Sequence, residues 1–473
     1  MAGEHPGRMA WVDRGTEYSY GELWRDILGT QSLLENEGIR AGDWVAFSVS
    51  HQYLHLLASL ALLRMGCSQI GFPSHESPHG IRELSSRLHL RWIVSQGRAD
   101  GFPGDREVDL PSLSAIRALP CTSSAEAPDA PDACFVFTSS GTTGTPKVIA
   151  VSQRKLLFGF ASSTGDPPVF HQRVSIDYHI GKAYAFRCLF AGGTFVTSDN
   201  GEARDLPDLC DRYNVTSIRL SVYAATQLVG MAEQTNVEEP ALQGVAIELA
   251  GSKVGLGLLE RVRRRLGSQV AIPYGTTEAR LVSRATGRDL LVDADSVGYP
   301  VPGVAVRIVD EAWNPVPAGV RGLIGIRSEA CVDRYLLDDE LSARHFRLGW
   351  FYPGDVGTLT EDGMLLLHGR ADEMMIMNSI NIFPAEIEAV AATYPGVEDC
   401  AAFPIASEMH GAIPALAVTS KVALDAKDVL AFCRRSLGIR SPRKVVQVDG
   451  IPRNSQGKIL RRQLAESTTL TRS

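Results

Sequence analysis

Helix-like and strand-like patterns alternate near the start of the chain, and this alternation sets the strongest limit on its fold. Leu23, Ile27 and Leu34 are spaced as on one face of a helix, and the strand-like run DWVAFSV follows them. A second helix-like run, HLLASLALLRMG, comes next. Helices that alternate with strands predict a mostly parallel sheet covered by helices. We therefore expect an α/β fold in this region.

The pattern changes twice in the remainder of the chain. Strand signals recur up to residue 274 in CFVF, VIAV, GTFVT, SIRL, VAIEL and QVAIPY. After Val297 short strands and turns predict a small β-rich lobe, and beyond Arg370 mixed signals predict a small α+β domain. At 473 residues the chain is too long for one hydrophobic core. We predict a multidomain α/β protein with a large N-terminal ATP- and acid-binding domain at 1–370 and a mobile C-terminal cap at 371–473.

Composition excludes several classes of protein. The chain is 44% hydrophobic and has a formal net charge of -7, which argues against nucleic acid as the main partner. Its longest apolar stretch, at residues 54–63, is too short to span a bilayer, so we predict a cytoplasmic protein. The eight cysteines include no CxxC pair, so we expect neither a zinc site nor a disulfide framework. We interpret them as small buried hydrophobes.

A flexible, polar loop follows the strand signal CFVF. The stretch FVFTSSGTTGTPKV places glycines, hydroxyl side chains and Lys147 within a few residues. Backbone N–H groups of such a turn can converge on an anion, which predicts a phosphate cradle, and a surface loop without ligand is the alternative. In a Walker A loop the lysine opens a helix, whereas Lys147 follows Pro146 and precedes the β-branched VIAV. The sequence therefore predicts a strand–loop–strand cradle.

Four further motifs follow this loop along the chain. They are YGTTE at 274–278, GWFYPGD at 349–355, GRADE at 369–373 with PAEIE at 384–388, and PRNSQGK at 452–458. Together with the loop they resemble the signature motifs of the adenylate-forming superfamily. This superfamily includes acyl- and aryl-CoA synthetases, peptide-synthetase adenylation domains and luciferases.

The resemblance implies an AMP-forming acid–thiol ligase of the acyl- or aryl-CoA synthetase kind. In such enzymes a carboxylate attacks the α-phosphate of ATP to give an acyl adenylate and pyrophosphate, and the acyl group then passes to a thiol. ATP and Mg²⁺ are the implied cofactors, with coenzyme A or carrier phosphopantetheine as the thiol. A small carboxylic acid is the implied substrate, and an acyl carrier protein is left open as a partner.

The resemblance also assigns roles around the nucleotide. Glu278 is expected to bind Mg²⁺ and Thr277 to touch the α-phosphate. Lys458 is expected to steady the carboxylate and α-phosphate as the main catalytic residue. The implied ATP-binding residues, with Tyr274 on the adenine and the last two on the ribose, are Ser139, Ser140, Gly141, Thr142, Thr143, Gly144, Lys147, Tyr274, Gly275, Thr276, Asp355 and Arg370.

Two features of the C-terminal cap follow from the same resemblance. Asp372 matches the hinge about which the cap is expected to swing between the two half-reactions. The basic stretch 434–462, which includes Arg440 and Arg461, either meets the phosphates of the thiol donor or forms a solvated face.

The acid-binding residues are predicted by their position in the chain. His179 matches an aromatic–histidine element of acyl and aryl ligases, and a satisfied core histidine is the alternative. Asp177 lies two residues before the place where amino-acid-activating domains carry an aspartate, so amino-acid adenylation is a minor alternative. Arg280 pairs either with a second polar group of the acid or with a surface carboxylate. The other lining candidates are Tyr223, Ala250, Gly251, Ser252 and Gly275.

Departures from the family pattern bear on the acceptor of the acyl group. Val148 and Gln153 replace a glycine and a histidine of many CoA ligases, with a modest expected effect. Ser379 stands where the family usually has glycine beside the pantetheine tunnel, and its side chain narrows that tunnel. Transfer to an amine or a dedicated carrier therefore stays open. A non-catalytic nucleotide-binding module is a further alternative, which the retained Lys458 disfavours.

Overall fold

The computed structural model describes residues 1–72, 77–97, 102–104, 106–120, 133–139, 147–158, 166–198, 205–234, 239–251, 253–378, 380–407, 410–454 and 458–470. Within these ranges no helix is both long enough and apolar enough to cross a bilayer. The chain divides into two compact units. The first unit holds Met1–Ile218, Thr277–Arg280 and Glu329–Phe346, and the second holds Arg219–Thr276, Leu281–Ser328 and Arg347–Ser473.

Strands occur along the whole described chain. They are β1 (Met9–Asp13), β2 (Thr16–Ser19), β3 (Trp44–Ser48), β4 (Ser68–Gly71), β5 (Trp92–Ser95), β6 (Arg106–Asp109), β7 (Cys134–Ser139), β8 (Lys147–Ser152), β9 (Val169–Gln172), β10 (Thr194–Val196), β11 (Ser217–Ser221), β12 (Ala246–Ala250), β13 (Val270–Thr276), β14 (Arg280–Thr286), β15 (Tyr299–Pro300), β16 (Val304–Val309), β17 (Gly322–Ser328), β18 (Phe346–Arg347), β19 (Trp350–Phe351), β20 (Asp355–Leu359), β21 (Leu365–Arg370), β22 (Met375–Met377), β23 (Ile380–Ile382), β24 (Asp399–Ser407), β25 (Gly411–Thr419) and β26 (Lys444–Gln447).

Helices alternate with these strands. They are α1 (Tyr20–Asn36), α2 (Gln52–Arg64), α3 (Pro78–Arg87), α4 (Leu113–Ala118), α5 (Gln153–Leu157), α6 (His179–Phe190), α7 (Leu206–Tyr213), α8 (Val222–Gln234), α9 (Leu256–Arg265), α10 (Gly287–Val292), α11 (Asp339–His345), α12 (Pro384–Ala391), α13 (Ala426–Leu437) and α14 (Arg461–Leu470). A 3-10 turn, Gly438–Arg440, follows α13.

A six-stranded sheet forms one core of the first unit. Its strand order is β6-β5-β3-β4-β7-β8, and the strands pair in parallel except for the antiparallel pair β7 and β8. The parallel pairs follow from the crossover helices, because α2 joins β3 to β4 and α3 joins β4 to β5. Ala46, Ile70, Ile93 and Val136 pack from these strands against Ile81 of α3.

The first unit also holds β9, β10 and β1 in parallel, with β2 antiparallel to β1. A capping box starts α1, because the Ser19 hydroxyl accepts from the N–H of Glu22 and the Glu22 carboxylate accepts from the N–H of Ser19. Near the start of α6 the backbone of Gly181 lies close to the Ser175 carbonyl. A Cβ on Gly181 would lie 2.0 Å from that carbonyl oxygen. Only glycine fits there, and this contact fixes the start of α6.

The second unit combines a parallel strand pair with two antiparallel regions. Its first strands have the order β15-β14-β13-β12, with β12 and β13 parallel. Strands β16, β17, β19, β20 and β21 form an antiparallel β-rich region. The C-terminal sheet has the order β23-β22-β25-β24, with β26 parallel to β25.

Alternation along β24 and β25 gives the C-terminal sheet two apolar faces. Cys400 and Leu416 pack on one side with Val429 of α13, while Phe403 and Ala417 pack on the other with Leu464 of α14. Successive residues of a strand point to opposite faces, so one strand pair supplies both cores. The α+β domain expected beyond Arg370 is thereby confirmed.

The predicted fold class is confirmed, with a large α/β N-terminal part, a β-rich region and a smaller C-terminal domain. All six strand signals from CFVF to QVAIPY correspond to strands, namely β7, β8, β10, β11, β12 and β13. The sequence analysis missed the hairpin of β1 and β2. The predicted boundary after Arg370 is not a division between the two units and stays a prediction.

The described cysteines are free thiols, and most are buried as predicted. Buried examples are Cys67, Cys188, Cys210, Cys331, Cys400 and Cys433, while Cys134 is partly buried. Burial raises the pKa of the Cys188 thiol to about 12, which keeps it in the protonated, unreactive form.

Candidate active site

The predicted phosphate loop joins two antiparallel strands. β7 ends at Ser139 and β8 begins at Lys147, and these two residues face each other across the strand pair. Strands therefore flank the loop on both sides, as the sequence predicts. The side chain of Ser139 and the whole of Ser140, Gly141, Thr142, Thr143 and Gly144 lie outside the described residues, so their roles stay predictions.

Lys147 and Glu278 are brought together by Tyr335 in the first unit. The Tyr335 hydroxyl donates a hydrogen bond to Glu278 Oε1 at 2.8 Å, and Lys147 Nζ donates to the Tyr335 hydroxyl at 3.4 Å. The ammonium group also lies 5.0 Å from the centroid of the Tyr335 ring. Both Tyr335 and Glu278 are buried. Lys147, which is predicted to lie near the phosphates, and Glu278, which is predicted to bind the metal, thus contact the same tyrosine side chain.

Backbone contacts explain why Tyr335 reaches this position. The N–H of Val332 donates to the Glu278 carbonyl at 2.9 Å, and the N–H of Leu336 donates to the Val148 carbonyl at 2.8 Å. The segment 332–336 is therefore tied to the turn of Glu278 and to β8. Sequence reasoning missed Tyr335, and its signal was an aromatic residue shortly before the N-cap Asp338 of α11.

Tyr274, Asp355 and Arg370 form a second cluster, in the second unit. The Tyr274 hydroxyl donates to Asp355 Oδ2 at 2.6 Å, and Arg370 Nη1 donates to Asp355 Oδ1 at 3.2 Å. Asp355 opens β20 and Arg370 closes β21, and the two residues pair across these strands. Burial raises the pKa of Asp355, while Arg370 and Tyr274 act in the opposite direction. The structure thus joins three residues that the sequence assigns to one nucleoside.

The predicted hinge residue Asp372 and the predicted catalytic lysine Lys458 belong to the same unit as this cluster. Arg370 Nε donates to Asp372 Oδ1 at 3.0 Å. Lys458 Nζ lies 3.7 Å from Glu373 Oε1, and its side chain is 45% exposed. The Asn454 side chain accepts from the N–H of Lys458 at 2.8 Å, which holds the backbone at Lys458. Its position beside Glu373 is that of a solvent-accessible ammonium with a weak carboxylate partner.

His179 occupies the first position of α6. It is buried and its imidazole packs edge-on against Phe137 of β7, with ring centroids 5.0 Å apart. Asp177 is engaged elsewhere, because its carboxylate lies 3.0 Å from His55 Nδ1 and accepts from the Ser175 hydroxyl at 2.6 Å. Although burial raises the pKa of Asp177, His55 and Ser175 hold it below its usual value. These contacts leave Asp177 poorly suited to bind a substrate ammonium.

Arg280 has an unusual backbone and a shielded side chain. Its φ is 63°, a left-handed conformation that non-glycine residues rarely adopt. Burial, and then the positive charge of Arg187, lower the pKa of its guanidinium to about 10. These surroundings differ from those of an exposed surface ion pair.

Three of the remaining lining candidates, Ala250, Gly251 and Gly275, lie at or near the ends of two parallel strands. β12 ends at Ala250 and β13 ends at Thr276, and parallel strands bring their carboxyl ends to one edge of a sheet. Gly251 has a φ of 96°, and a Cβ there would meet no atom within 4 Å. Tyr223 is 45% exposed. Ser252 and Ser379 lie outside the described residues, and their roles stay predictions.

Comparison with known proteins identifies the family. The AMP-binding enzyme family matches residues 1–336, and the AMP-binding enzyme C-terminal domain matches residues 386–458. The chain belongs to the AMP-binding enzyme family. This membership confirms the resemblance to the adenylate-forming superfamily.

Individual relatives of this AMP-binding enzyme are distant but cover it almost completely. A 4-coumarate–CoA ligase-like protein 9 of Oryza sativa subsp. japonica is 27% identical and covers 97% of this chain and 91% of its own. The o-succinylbenzoate–coenzyme A synthetase of Bacillus subtilis, solved with ATP and magnesium, has a TM-score of 0.86 at 21% identity and covers 98% of both chains. The amide bond synthetase McbA of Marinactinospora thermotolerans has a TM-score of 0.84 at 23% identity, with coverage of 98% and 97%. Both structural likenesses concern the fold.

The basic stretch of this AMP-binding enzyme is partly neutralised inside the C-terminal domain. Arg461 is largely buried, donates to the Ala402 carbonyl at 2.8 Å and forms ion pairs with Glu388 and Glu373. Arg440 lies 3.7 Å from Glu386. The predicted solvated or phosphate-binding face therefore excludes Arg461, which is a structural residue.

Proposed function

We propose that this enzyme uses ATP to activate a carboxylic acid as an acyl adenylate, releases pyrophosphate, and transfers the acyl group to a thiol. The observation that carries the proposal is the hydrogen-bonded cluster of Tyr274, Asp355 and Arg370. A carboxylate with two fixed partners suits the paired hydroxyls of a ribose, since it offers acceptor oxygens in one orientation. The aromatic ring of Tyr274 offers a face for the adenine.

The cluster of Lys147, Tyr335 and Glu278 acts on the phosphates in this proposal. Glu278 fits a Mg²⁺ ligand, because Mg²⁺ prefers carboxylate oxygen and is commonly held by one or two carboxylates plus phosphates. Glu278 would hold the ion with a carboxylate that is oriented by the hydrogen bond its Oε1 accepts from Tyr335. Bound Mg²⁺ supplies positive charge against the triphosphate. Lys147 adds a second positive charge beside the loop 140–146, and Thr277 contacts the α-phosphate.

Lys458 stabilises the attack of the acid on the α-phosphate. An ammonium group at the developing negative charge lowers the barrier without forming a bond, which is the main protein contribution in phosphoryl-type transfers. Its exposed position next to Glu373 leaves it able to move with its loop. We propose that rotation about Asp372 brings Lys458 to the acid for the first half-reaction and withdraws it for the second.

The side chains proposed to contact the acid select it both by their shape and by their charge. His179 and Phe137 form an aromatic wall in the first unit, which favours an aryl or short acyl group. Arg280, with Arg187 as its like-charged neighbour, favours an acid that carries a second polar or anionic group. Amino acids are disfavoured, since Asp177 is held by His55 and Ser175.

A second candidate function has the same first step and an amine as the acceptor. Ser379 motivates it by sequence, and Asn378 beside it has a φ of 49° where glycine is the usual occupant of such a conformation. A side chain at position 379, where the family usually has glycine, would narrow the approach of a pantetheine arm. The fold likeness to an amide bond synthetase is compatible with this acceptor.

The decisive experiment measures pyrophosphate release from ATP and Mg²⁺ with a panel of aryl, short acyl and dicarboxylic acids. Each acid is tested alone, with coenzyme A, and with a set of primary amines. We expect acid-dependent release that coenzyme A accelerates, with a thioester as the product. Turnover that requires an amine and ignores coenzyme A would establish the second candidate. Nucleotide binding without pyrophosphate exchange for any acid would contradict both and support a non-catalytic module.

A further inference from the structure

A line of polar contacts in the second unit joins residues that the proposed reaction leaves unused. Lys253 Nζ donates a hydrogen bond to Asp295 Oδ1, and Asp295 Oδ2 lies 2.9 Å from His368 Nδ1. His368 Nε2 lies 2.8 Å from the Thr358 hydroxyl. These four residues form the relay.

The relay connects the ends of elements that carry predicted site residues. Lys253 comes directly after the lining segment that starts at Ala250, at the end of β12. His368 lies two residues before Arg370 on β21, and Thr358 lies on β20, which Asp355 opens. The relay therefore runs from Lys253, which follows β12, to the strand pair that holds the proposed ribose site.

Backbone hydrogen bonds give Asp295 a fixed base for this connection. The N–H of Leu367 donates to the Asp295 carbonyl at 2.8 Å, and the N–H of Leu365 donates to the Gly298 carbonyl at 2.8 Å. The segment 295–298 thus lies against β21 whatever its side chains do. The carboxylate of Asp295 reaches from this base to Lys253, so this side-chain contact ties Lys253 to the segment that lies against β21.

The charged groups of the relay are largely shielded from solvent. Lys253 and Asp295 are mostly shielded, with side chains 22% and 27% exposed, and His368 is 9% exposed. Burial raises the pKa of Asp295, but His368 and Lys253 lower it to about 2, so the carboxylate is ionised at neutral pH. The two ring nitrogens of His368 face the Asp295 carboxylate and the Thr358 hydroxyl, one on each side.

We propose that the relay positions the end of β12, at Ala250 and Gly251, against the strands of Asp355 and Arg370, and so sets the affinity of the site for nucleotide and acid. The inference rests on the proposed function and on the predicted place of Ala250 and Gly251 in the lining of the acid pocket. Lys253, Asp295 and His368 are positioning residues, because they act through this strand end and not on the reacting atoms. A shift of the strand end by a fraction of an ångström changes binding geometry without removing a catalytic group.

The test compares Asp295→Asn, Lys253→Met and the double variant in the full-length enzyme. We expect each single variant to raise KM for ATP and for the best acid about 10-fold, with kcat changed less than about 3-fold. The double variant should be no worse than either single one, because both remove the same interaction. Lys253→Arg keeps the charge and should recover most of the affinity.

Asp362→Asn is the matched control, since Asp362 is an aspartate of the same unit that bonds Tyr299 and Thr360 at the surface. It should leave both KM values unchanged. Additive KM changes in the double variant, or a lower melting temperature with unchanged KM, would make the contacts purely structural and overturn the proposal.

Hydrogen–deuterium exchange tests the effect of the relay on the backbone in the absence of substrate. Peptides that cover residues 249–254 should exchange faster in Asp295→Asn and Lys253→Met than in the wild type, while peptides of β24 and β25 keep their protection. Unchanged exchange in 249–254 would overturn the relay even in an active enzyme. If the wild type activates no acid, the proposed function fails. The exchange result alone then decides whether the relay holds the end of β12 in place.

Discussion

Tyr335 shows how one neutral side chain can organise two charged ones. Its hydroxyl donates to Glu278 and accepts from Lys147, so a carboxylate and an ammonium are held near the same phenol. The phenol thereby orients two charged groups that are proposed to act on phosphate and metal.

Tyr335→Phe should therefore weaken use of ATP and Mg²⁺ while the fold persists. The ring stays in its buried place, and only the bond that orients Glu278 is lost, at a cost of about 1 kcal/mol or more. We expect kcat/KM for ATP to fall about 10-fold and the Mg²⁺ concentration for half-maximal rate to rise. Tyr299→Phe removes a surface hydroxyl that also donates to a carboxylate, and it should have no effect. An unchanged Mg²⁺ requirement would show that Tyr335 is only a packing residue.

Lys458→Ala should abolish acyl-adenylate formation while ATP still binds. The ammonium is proposed to act in the transition state, so its loss lowers kcat and leaves the dissociation constant of ATP nearly constant. We expect a drop in pyrophosphate exchange of about 100-fold or more, with binding measured by calorimetry. Lys421→Ala is the control, because Lys421 is an exposed lysine of the same unit paired with Glu398. A normal exchange rate in Lys458→Ala would remove this lysine from the mechanism.

Helix α6 is the element on which the proposed acid site depends most, because its first residue is His179. The glycine at position 181 lets the helix start against the turn of Ser175, where a Cβ would lie 2.0 Å from a carbonyl oxygen. Two side-chain contacts hold this turn. Gln52 Nε2 donates to the Ser175 hydroxyl at 3.0 Å, and Asp177 Oδ1 lies 3.0 Å from His55 Nδ1. The orientation of His179 is thus a property of the whole helix start.

Gly181→Ala should displace this helix start and weaken acid binding. Overpacking against backbone costs about 1–3 kcal/mol, because neither the carbonyl nor the helix can move freely. We expect a lower melting temperature together with a KM for the acid that rises more than the KM for ATP. Gly230→Ala in α8 is the matched control, since a Cβ there would meet no atom within 4 Å. Equal changes in the KM for the acid and the KM for ATP would show that the start of α6 has no specific effect on acid binding.

Most elements could be predicted from local pattern, whereas contacts between distant segments could not. The strands β7, β8 and β13 have β-branched and apolar runs bounded by turn residues, so their signals are local. The hairpin of β1 and β2 was missed because β1 is short and is stabilised by pairing with β10, far away in the chain. Tyr335 and the relay belong to no motif. Their partners come from separate segments, and only the folded chain reveals them.

At the scale of the whole molecule, the buried Lys182 links stability to pH. Its ammonium lies 3.0 Å from the Ser59 hydroxyl and 4.6 Å from the centroid of the Phe47 ring. His55 and Asp177 are its titratable neighbours. Burial lowers the pKa of Lys182 to about 7, with Asp177 opposing the shift. In the unfolded chain a lysine keeps its proton up to about pH 10.

Lys182→Met should therefore stabilise the protein most at low pH. Between about pH 7 and pH 10 the unfolded state binds more protons than the folded state, so the wild-type free energy of unfolding rises with pH through this range. Below about pH 7 both states are protonated and the cost of the buried charge is complete. We expect the advantage of the methionine variant, measured by urea unfolding, to be large near pH 6 and to shrink toward pH 10, by roughly several kcal/mol at most. An advantage that does not vary with pH would contradict this account, and Lys155→Met, at a surface pair with Asp333, should show none.

The division of the chain into interleaved stretches has a consequence for genetics and engineering. A gene fragment that stops at codon 218 encodes most of the first unit but omits Thr277–Arg280 and Glu329–Phe346, and with them Glu278 and Tyr335. A split reporter or a recombinant between homologues that is cut at 218 would separate these stretches from the rest of the unit. Exchange of functional modules among such genes must therefore transfer three non-adjacent coding stretches together, which favours inheritance of residues 1–346 as one block.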